Sequence, residues 1–324
     1  MRRGWLLGAG VLTLGSATLI MAETAMIVDH SLPMYERVAG VAGNLNSIGS
    51  DTLNNLMTFW AEGFAKLYPN VKIQIEGKGS STAPPALIAG TAQLGPMSRP
   101  MKSTEIDAFE KKYGYKPTAI AVALDALGVY VNKDNPIQHL SIEQVDATFS
   151  STRACGEKAN ITRWDQLGLA GEWAHPISLY GRNSASGTYG YFKEHALCKG
   201  DYKDSVKEQP GSATVIEGVT NDRYAIGYSG IGYKTAGVRI LPLSPIGSTN
   251  AYEAMSENVY AGTYPLSRYL YIYVNKAPGK PMDPLVKQLL TYVLSQEGQE
   301  VVVKDGFIPL THEITDVEMK KLEE

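Results

Sequence analysis

The chain has 324 residues, 44% apolar and 19% charged, enough for two domains of ordinary size with substantial cores. That composition excludes a disordered chain, a collagen and a coiled coil. Lys and Arg total 30 against 33 Asp and Glu, a net charge of −3, so a nucleic-acid binder relying on a general basic field is excluded as well.

In chain order, residues 1–22 have the parts of a secretory signal peptide: Arg2 and Arg3, a mostly apolar run from Gly4 to Met21, and a cut expected after Ala22. Ile20 is large for its place before that cut, and an uncleaved anchor is the alternative. No other stretch reaches the 18 or so apolar residues that a membrane span needs. Residues 23–43 lack periodicity and are expected to form a flexible or loosely packed lead-in. From there strands and helices alternate, the pattern of an α/β fold. Leu53, Leu56, Met57, Trp60 and Phe64 recur at helical spacing, and Val71, Ile73 and Ile75 then alternate as a strand. Pro84 and Pro85 suit the first turn of a short helix near 83–90, and Thr104 to Tyr113 forms another. Val122 to Asn132 is expected as a strand broken at Asp125 and Gly128, Ile177 to Tyr180 as a short strand, and 141–149 and 188–197 as helices. Tyr269 to Asn275 is the last strand, and Leu285, Leu289, Leu290, Val293 and Leu294 face one side of a helix ending ahead of Gly298. Tyr130-Val131-Asn132-Lys133 and Tyr273-Val274-Asn275-Lys276 are one tetrapeptide used twice, either by coincidence or as two similar strands linking two lobes.

The two cysteines, Cys155 and Cys198, lie in a chain expected to be exported, where pairing is permitted. A disulfide is the leading reading and two separate buried thiols the other; closing that loop stabilises by roughly 4 kcal/mol in the chain-entropy model. The five histidines, His30, His139, His175, His195 and His312, have no metal-ligand spacing, so no metal and no cofactor are expected. Enzyme signatures are missing too. Gly77-Lys78 continues with Gly79 and cannot open a phosphate loop, and Gly227-Tyr228-Ser229-Gly230 departs from the nucleophile elbow.

Three hydroxyl-rich turns stand at helix starts: Ser50-Asp51-Thr52, Gly77 to Thr82, and Gly181 to Thr188. Backbone N–H groups of a first helical turn have no partner within the helix, and the dipole there is positive, so converging helix starts suit a tetrahedral oxyanion without a large net charge. Taken singly, each is an ordinary N-cap. Arg182 beside Ser186-Gly187-Thr188 adds a bidentate donor, and Ser98-Arg99 pairs a second hydroxyl with a guanidinium.

From about Asn44 to Leu243, and more loosely to the carboxyl end, the chain resembles the phosphate-binding components of ABC phosphate importers. The resemblance rests on an ordered set: Gly49-Ser50-Asp51-Thr52, Gly77-Lys78-Gly79-Ser80-Ser81, Gly95-Pro96-Met97-Ser98-Arg99, Arg182 with Ser186-Gly187-Thr188, and Ala225-Ile226-Gly227-Tyr228, with Val131 to Pro136 matching the turn after the first crossover. It implies the type II periplasmic binding protein fold, two α/β lobes joined by two crossover strands and closing on ligand in the cleft. Residues 44–124 and 265–324 then form lobe I and 125–264 lobe II. Phosphate is expected against Ser50, Asp51, Thr52, Ser80, Ser98, Arg182, Ser186, Gly187 and Thr188, with Arg99 as a further contact. Some members carry Asp where Ser98 stands here, a carboxylate that accepts the proton of phosphate. Asp51 is either its replacement or a plain N-cap. The implied protein is a periplasmic or secreted monomer, not an enzyme, that delivers inorganic phosphate to an ABC permease at the inner membrane. An exported phosphate-processing or adhesive protein on the same fold, or a binder of another tetrahedral oxyanion, is the competing function.

Overall fold

A computed structural model describes residues 26–323, so the expected signal peptide, 1–22, lies outside the described residues. Strands and helices form around two sheets. In the first, Gly43–Gly49 pairs in parallel with Val71–Gly77 and bridges through Ser47 to Leu94, beside Gly95–Met97. Gly95–Met97, Ser267–Val274 and Thr118–Ala126 continue in antiparallel order. The second sheet has five strands in the order Val238–Ile240, Gly128–Asn132, Ala225–Ser229, Ser178–Arg182 and Lys207–Gln209.

The chain crosses between the sheets within a few residues. Thr118–Ala126 ends in the first sheet and, after Leu127, Gly128–Asn132 begins in the second. Ser267–Val274 carries the chain back, running antiparallel to Thr118–Ala126 with Arg268 opposite Asp125 and Ser267 opposite Ala126. The strand expected over Val122 to Asn132 is therefore two strands of two sheets, broken at Leu127. The repeated tetrapeptides fall beyond both crossings: Tyr130–Asn132 pairs in the second sheet and Tyr273–Val274 in the first.

The helices follow from apolar spacing and capping. Asn54–Leu67 buries Leu56, Met57, Trp60 and Phe64 along one face. Ala83–Ala89 and Ser103–Tyr113 each stop at a left-handed glycine, Gly90 and Gly114, as expected for a residue without a Cβ. Ser141 and Gln144 exchange hydrogen bonds in a capping box that starts Ile142–Phe149. Near the carboxyl end the helix expected ahead of Gly298 runs from Pro284 to Leu294, and Ser295 opens the next helix, Gln296–Lys304, by accepting the Gly298 N–H. Gly298 is helical; a side chain there would strike the Tyr292 and Val293 carbonyls.

The described part of the lead-in, 26–43, is largely exposed but anchored at a few points. Val28 and Leu32 are buried, the Gln296 N–H donates to the Pro33 carbonyl, and the Tyr35 hydroxyl shares hydrogen bonds with Tyr68 and Gln288. Its apolar residues follow no single period because only Val28 and Leu32 are buried, while Ile27, Met34 and Val38 are exposed. Cys155 and Cys198 form a disulfide with Cα atoms 5.3 Å apart. It ties the loop after Ile142–Phe149 to the loop after Gly187–His195.

Candidate anion site between the two sheets

Each turn is a strand-to-helix junction at the edge of a sheet. Ser50 follows Gly43–Gly49 and starts the short 3-10 turn Asp51–Leu53 that feeds Asn54–Leu67. Gly49 lies flat against Pro96, whose carbonyl accepts the Ser50 N–H at 2.8 Å; any side chain at 49 would overlap it. Ser80 follows Val71–Gly77, and Ser98 follows Gly95–Met97 with its N–H on Ser80 Oγ at 3.0 Å and the two hydroxyls 3.3 Å apart. From the other sheet, Arg182 ends Ser178–Arg182, and Ser186 caps Gly187–His195 by accepting the Thr188 and Tyr189 N–H groups at 3.1 and 3.3 Å.

The two sets meet. Thr52 Oγ1 and Thr188 Oγ1 are 2.8 Å apart, and the Ser81 N–H donates to the Ala185 carbonyl at 3.1 Å. Gly187 lies directly on the Ser80 and Ser98 hydroxyls, where a Cβ would overlap both. Glycine is required there by close approach, not by its backbone angle. Ser50, Thr52, Ser80, Ser98, Arg182, Ser186 and Thr188 are all buried.

Asp51 departs from a plain N-cap. Its Oδ2 accepts the Ser212 N–H at 2.8 Å and lies 3.2 Å from Arg182 Nη2, so it caps the Ser212–Asn221 helix of the other sheet. Among the described residues Oδ1 has no hydrogen-bond partner. The Tyr233 hydroxyl donates to the Asp51 carbonyl at 2.9 Å. Arg182 also donates to Ser212 Oγ at 2.6 Å and to the Pro210 carbonyl at 3.1 Å, while its Nε is buried without a partner. Burial pushes the Arg182 guanidinium below its ordinary pKa, against the pull of Asp51.

Arg99 lies at the edge of this cluster, with Nη2 3.4 Å from Ser81 Oγ. Its guanidinium makes a double contact with the Glu105 carboxylate at 2.7 and 2.7 Å and donates to the Pro100 carbonyl at 2.9 Å. Two residues that the motifs did not reveal lie behind the hydroxyls. Arg268 donates to Asp125 Oδ2 at 2.9 and 2.7 Å, to the Ser98 carbonyl at 2.8 Å and to Thr188 Oγ1 at 3.0 Å. Asp125, a charge inside an apolar strand, was the one available signal. Among the described residues no His, Cys, Asp and Glu group could hold a metal ion.

Chemically, the site is a set of donors with its own positive charge already balanced: Arg182 faces Asp51 and Arg268 faces Asp125. Such a site stabilises an anion with oriented N–H and O–H groups, not with excess charge.

Comparison with known proteins gives one consistent answer. A model of the PBP superfamily domain matches residues 36–297. The phosphate-binding protein PstS of Pseudomonas aeruginosa is 57% identical over 312 residues, 96% of this chain and 97% of that protein. PstS of Bacillus subtilis is 28% identical over 275 residues, 83% of this chain and 82% of that protein. Among solved structures, a putative phosphate ABC transporter substrate-binding protein with bound phosphate from Clostridium perfringens has a TM-score of 0.70 and 25% identity, covering 83% of this chain and 100% of that one. An ABC-type phosphate transport receptor from Vibrio cholerae shares the fold with a TM-score of 0.63 and 22% identity, covering 82% and 100%.

Proposed function

The chain belongs to the PBP superfamily and, within it, to the PstS phosphate-binding proteins, and from that premise we propose that it is the solute-binding component of an ABC importer that captures inorganic phosphate between two lobes. The observation that carries this reading is the meeting of the two lobes' turns, the Ser80 and Ser98 hydroxyls of one on Gly187 of the other and Thr52 on Thr188, together with Arg182, whose buried Nε–H lacks a partner that an oxyanion would supply. Ser50, Thr52, Ser80, Ser98, Arg182, Ser186, Gly187 and Thr188 supply the donors, and Asp51 the acceptor. Arg99, held by Glu105, shapes the rim of the cleft. The lobes comprise 44–124 with 265–324, and 125–264. In this reading ligand is released to the permease unchanged, consistent with relatives that are named as phosphate-binding proteins. In this reading the protein acts as a monomer in the periplasm. Calorimetric titration of the mature chain with phosphate, arsenate, sulfate and molybdate tests the reading: a one-to-one isotherm strongest for phosphate is expected, and no heat with phosphate would refute it.

A further inference from the structure

We infer that Arg268 is a positioning residue for the phosphate site: it fixes the Thr188 hydroxyl as a donor to the anion and links that donor to the strands on which the lobes hinge. The inference rests on the phosphate reading above.

Arg268 and Asp125 are register partners on the two strands that join the sheets, with side chains 2% and 0% exposed. A guanidinium can only donate, so Thr188 Oγ1, 3.0 Å from Arg268 Nη2, must accept. The Thr188 proton is then left for Thr52 Oγ1 at 2.8 Å or for an anion oxygen. A threonine without this partner is free to rotate and present a lone pair, which an anionic oxygen repels. Arg268 removes that choice, and its charge polarises the hydroxyl it holds.

The same side chain orders the other lobe's donors. Nη1 holds the Ser98 carbonyl at 2.8 Å, and the Ser98 N–H occupies a lone pair of Ser80 Oγ at 3.0 Å, leaving the Ser80 proton for the ligand. Asp125, which orients the guanidinium, accepts the Ile231 N–H from the second sheet through its other oxygen at 2.9 Å. One buried arginine thus sets a donor on each side of the cleft and makes both contacts only when the lobes are together. Lysine, a point charge on a flexible stem, can face Asp125 but cannot span these three partners at once.

A double-mutant cycle read by phosphate titration tests this. Arg268→Lys should fold and weaken phosphate binding by about tenfold or more, the scale of a charged hydrogen bond. Thr188→Val should weaken it comparably, and the double variant should lose clearly less than the product of the two single losses, because part of the effect of Arg268 runs through that hydroxyl and the rest through Ser98 and Ser80. A merely structural arginine would give losses that multiply. If Arg268→Lys loses its thermal unfolding transition, Arg268→Gln with Asp125→Asn replaces the ion pair by an amide pair, and the same cycle with Thr188→Val applies. Parent-like binding by the folded arginine variant, or multiplying losses, overturns the inference while leaving the phosphate reading in place. A parent chain that gives no phosphate isotherm overturns both.

Discussion

The molecule contains two buried arginine–aspartate pairs a short distance apart, and they are built on opposite plans. Arg268 and Asp125 face each other across paired antiparallel strands, 2.7 Å apart, and cannot separate without breaking the sheet. Arg182 and Asp51 come from different sheets, 3.2 Å apart, with Asp51 23% exposed, so their contact lasts only while the lobes touch. The first pair is therefore part of the frame in every state of the cleft. The second is conditional, and an anion entering the site competes with Asp51 for the guanidinium. Because each arginine carries its own counter-charge, the cleft can bury both without the cost of an uncompensated cation.

If that contrast is right, breaking the pairs should damage different quantities. Asp125→Ala leaves Arg268 buried and unpaired, and truncating one partner of such a pair costs about 3–5 kcal/mol of folding stability. Urea unfolding should show the loss as a lower midpoint with an unchanged slope. Arg182→Ala leaves behind a carboxylate that already reaches solvent, so folding should change far less. Its cost should appear in phosphate titration instead, about 2–4 kcal/mol by analogy with truncated interfacial charge pairs. A folded Arg182→Ala protein that binds phosphate normally would remove this residue from the site and erase the distinction.

The conditional pair was half legible in the sequence and the frame pair was not, for a physical reason. The hydroxyl-rich turns are contiguous: Ser50 to Thr52, Gly79 to Ser81 and Ser186 to Thr188 each stand at one strand-to-helix junction, where unpaired N–H groups suited to an anion are set by local geometry. Arg268 and Asp125 meet only through the register of strands 143 residues apart, which no local pattern encodes. The partnership of Asp51 with Arg182 and Ser212 is equally nonlocal, so its hydroxyl-rich surroundings identified the turn but not the carboxylate's direction. Helix Ser212–Asn221 escaped notice because its Ser, Thr and Gly content dilutes the apolar face formed by Val215, Ile216 and Val219. The long amphipathic runs, such as Asn54–Leu67, were plain because burial of one face repeats every turn.

Asp51 sharpens the comparison next, because its conditional pairing leaves one oxygen without a partner. Hydrogen phosphate and dihydrogen phosphate each have a proton to donate to it; sulfate near neutral pH has none and would set lone pairs against the carboxylate. An unpaired acceptor in such a contact costs about 1–3 kcal/mol, so this residue alone can reject sulfate roughly tenfold or more. Asp51→Asn should weaken phosphate binding and improve sulfate binding, while an amide oxygen can still cap the Ser212 helix. Titration of the folded variant with both anions reads the ratio. An unchanged preference would reduce Asp51 to a cap across the cleft and place selectivity on other residues.

The smallest effect on phosphate binding is expected at the rim, where Arg99 makes a third arginine–carboxylate contact that lies within one lobe and reaches the hydroxyl-rich turns only through a long 3.4 Å contact with Ser81 Oγ. Glu105 carries its side of the pair at the start of Ser103–Tyr113, and its carboxylate also accepts the Lys102 N–H at 2.8 Å. Burial pushes the Glu105 pKa up, but the Arg99 hydrogen bonds, that N–H and the nearby positive charges outweigh it and hold the group below its ordinary value. A carboxylate whose folded pKa is depressed contributes stability above its unfolded pKa of about 4.3 and loses it as pH falls through the folded value. Arg99→Gln should therefore destabilise the protein by about 1–3 kcal/mol at pH 7, because the side chains are only 6% and 18% exposed and Glu105 would keep its charge with an amide opposite it. That difference should shrink as urea unfolding is repeated at falling pH, once the pH drops below the depressed folded pKa of Glu105 and its carboxyl is protonated in both proteins. Phosphate affinity should stay within about twofold of the parent, since a pair committed within one lobe neither competes with the anion nor depends on closure. A tenfold loss of phosphate binding would instead mean that Arg99 leaves Glu105 for the ligand, and the rim pair would join Arg182 and Asp51 among the conditional contacts.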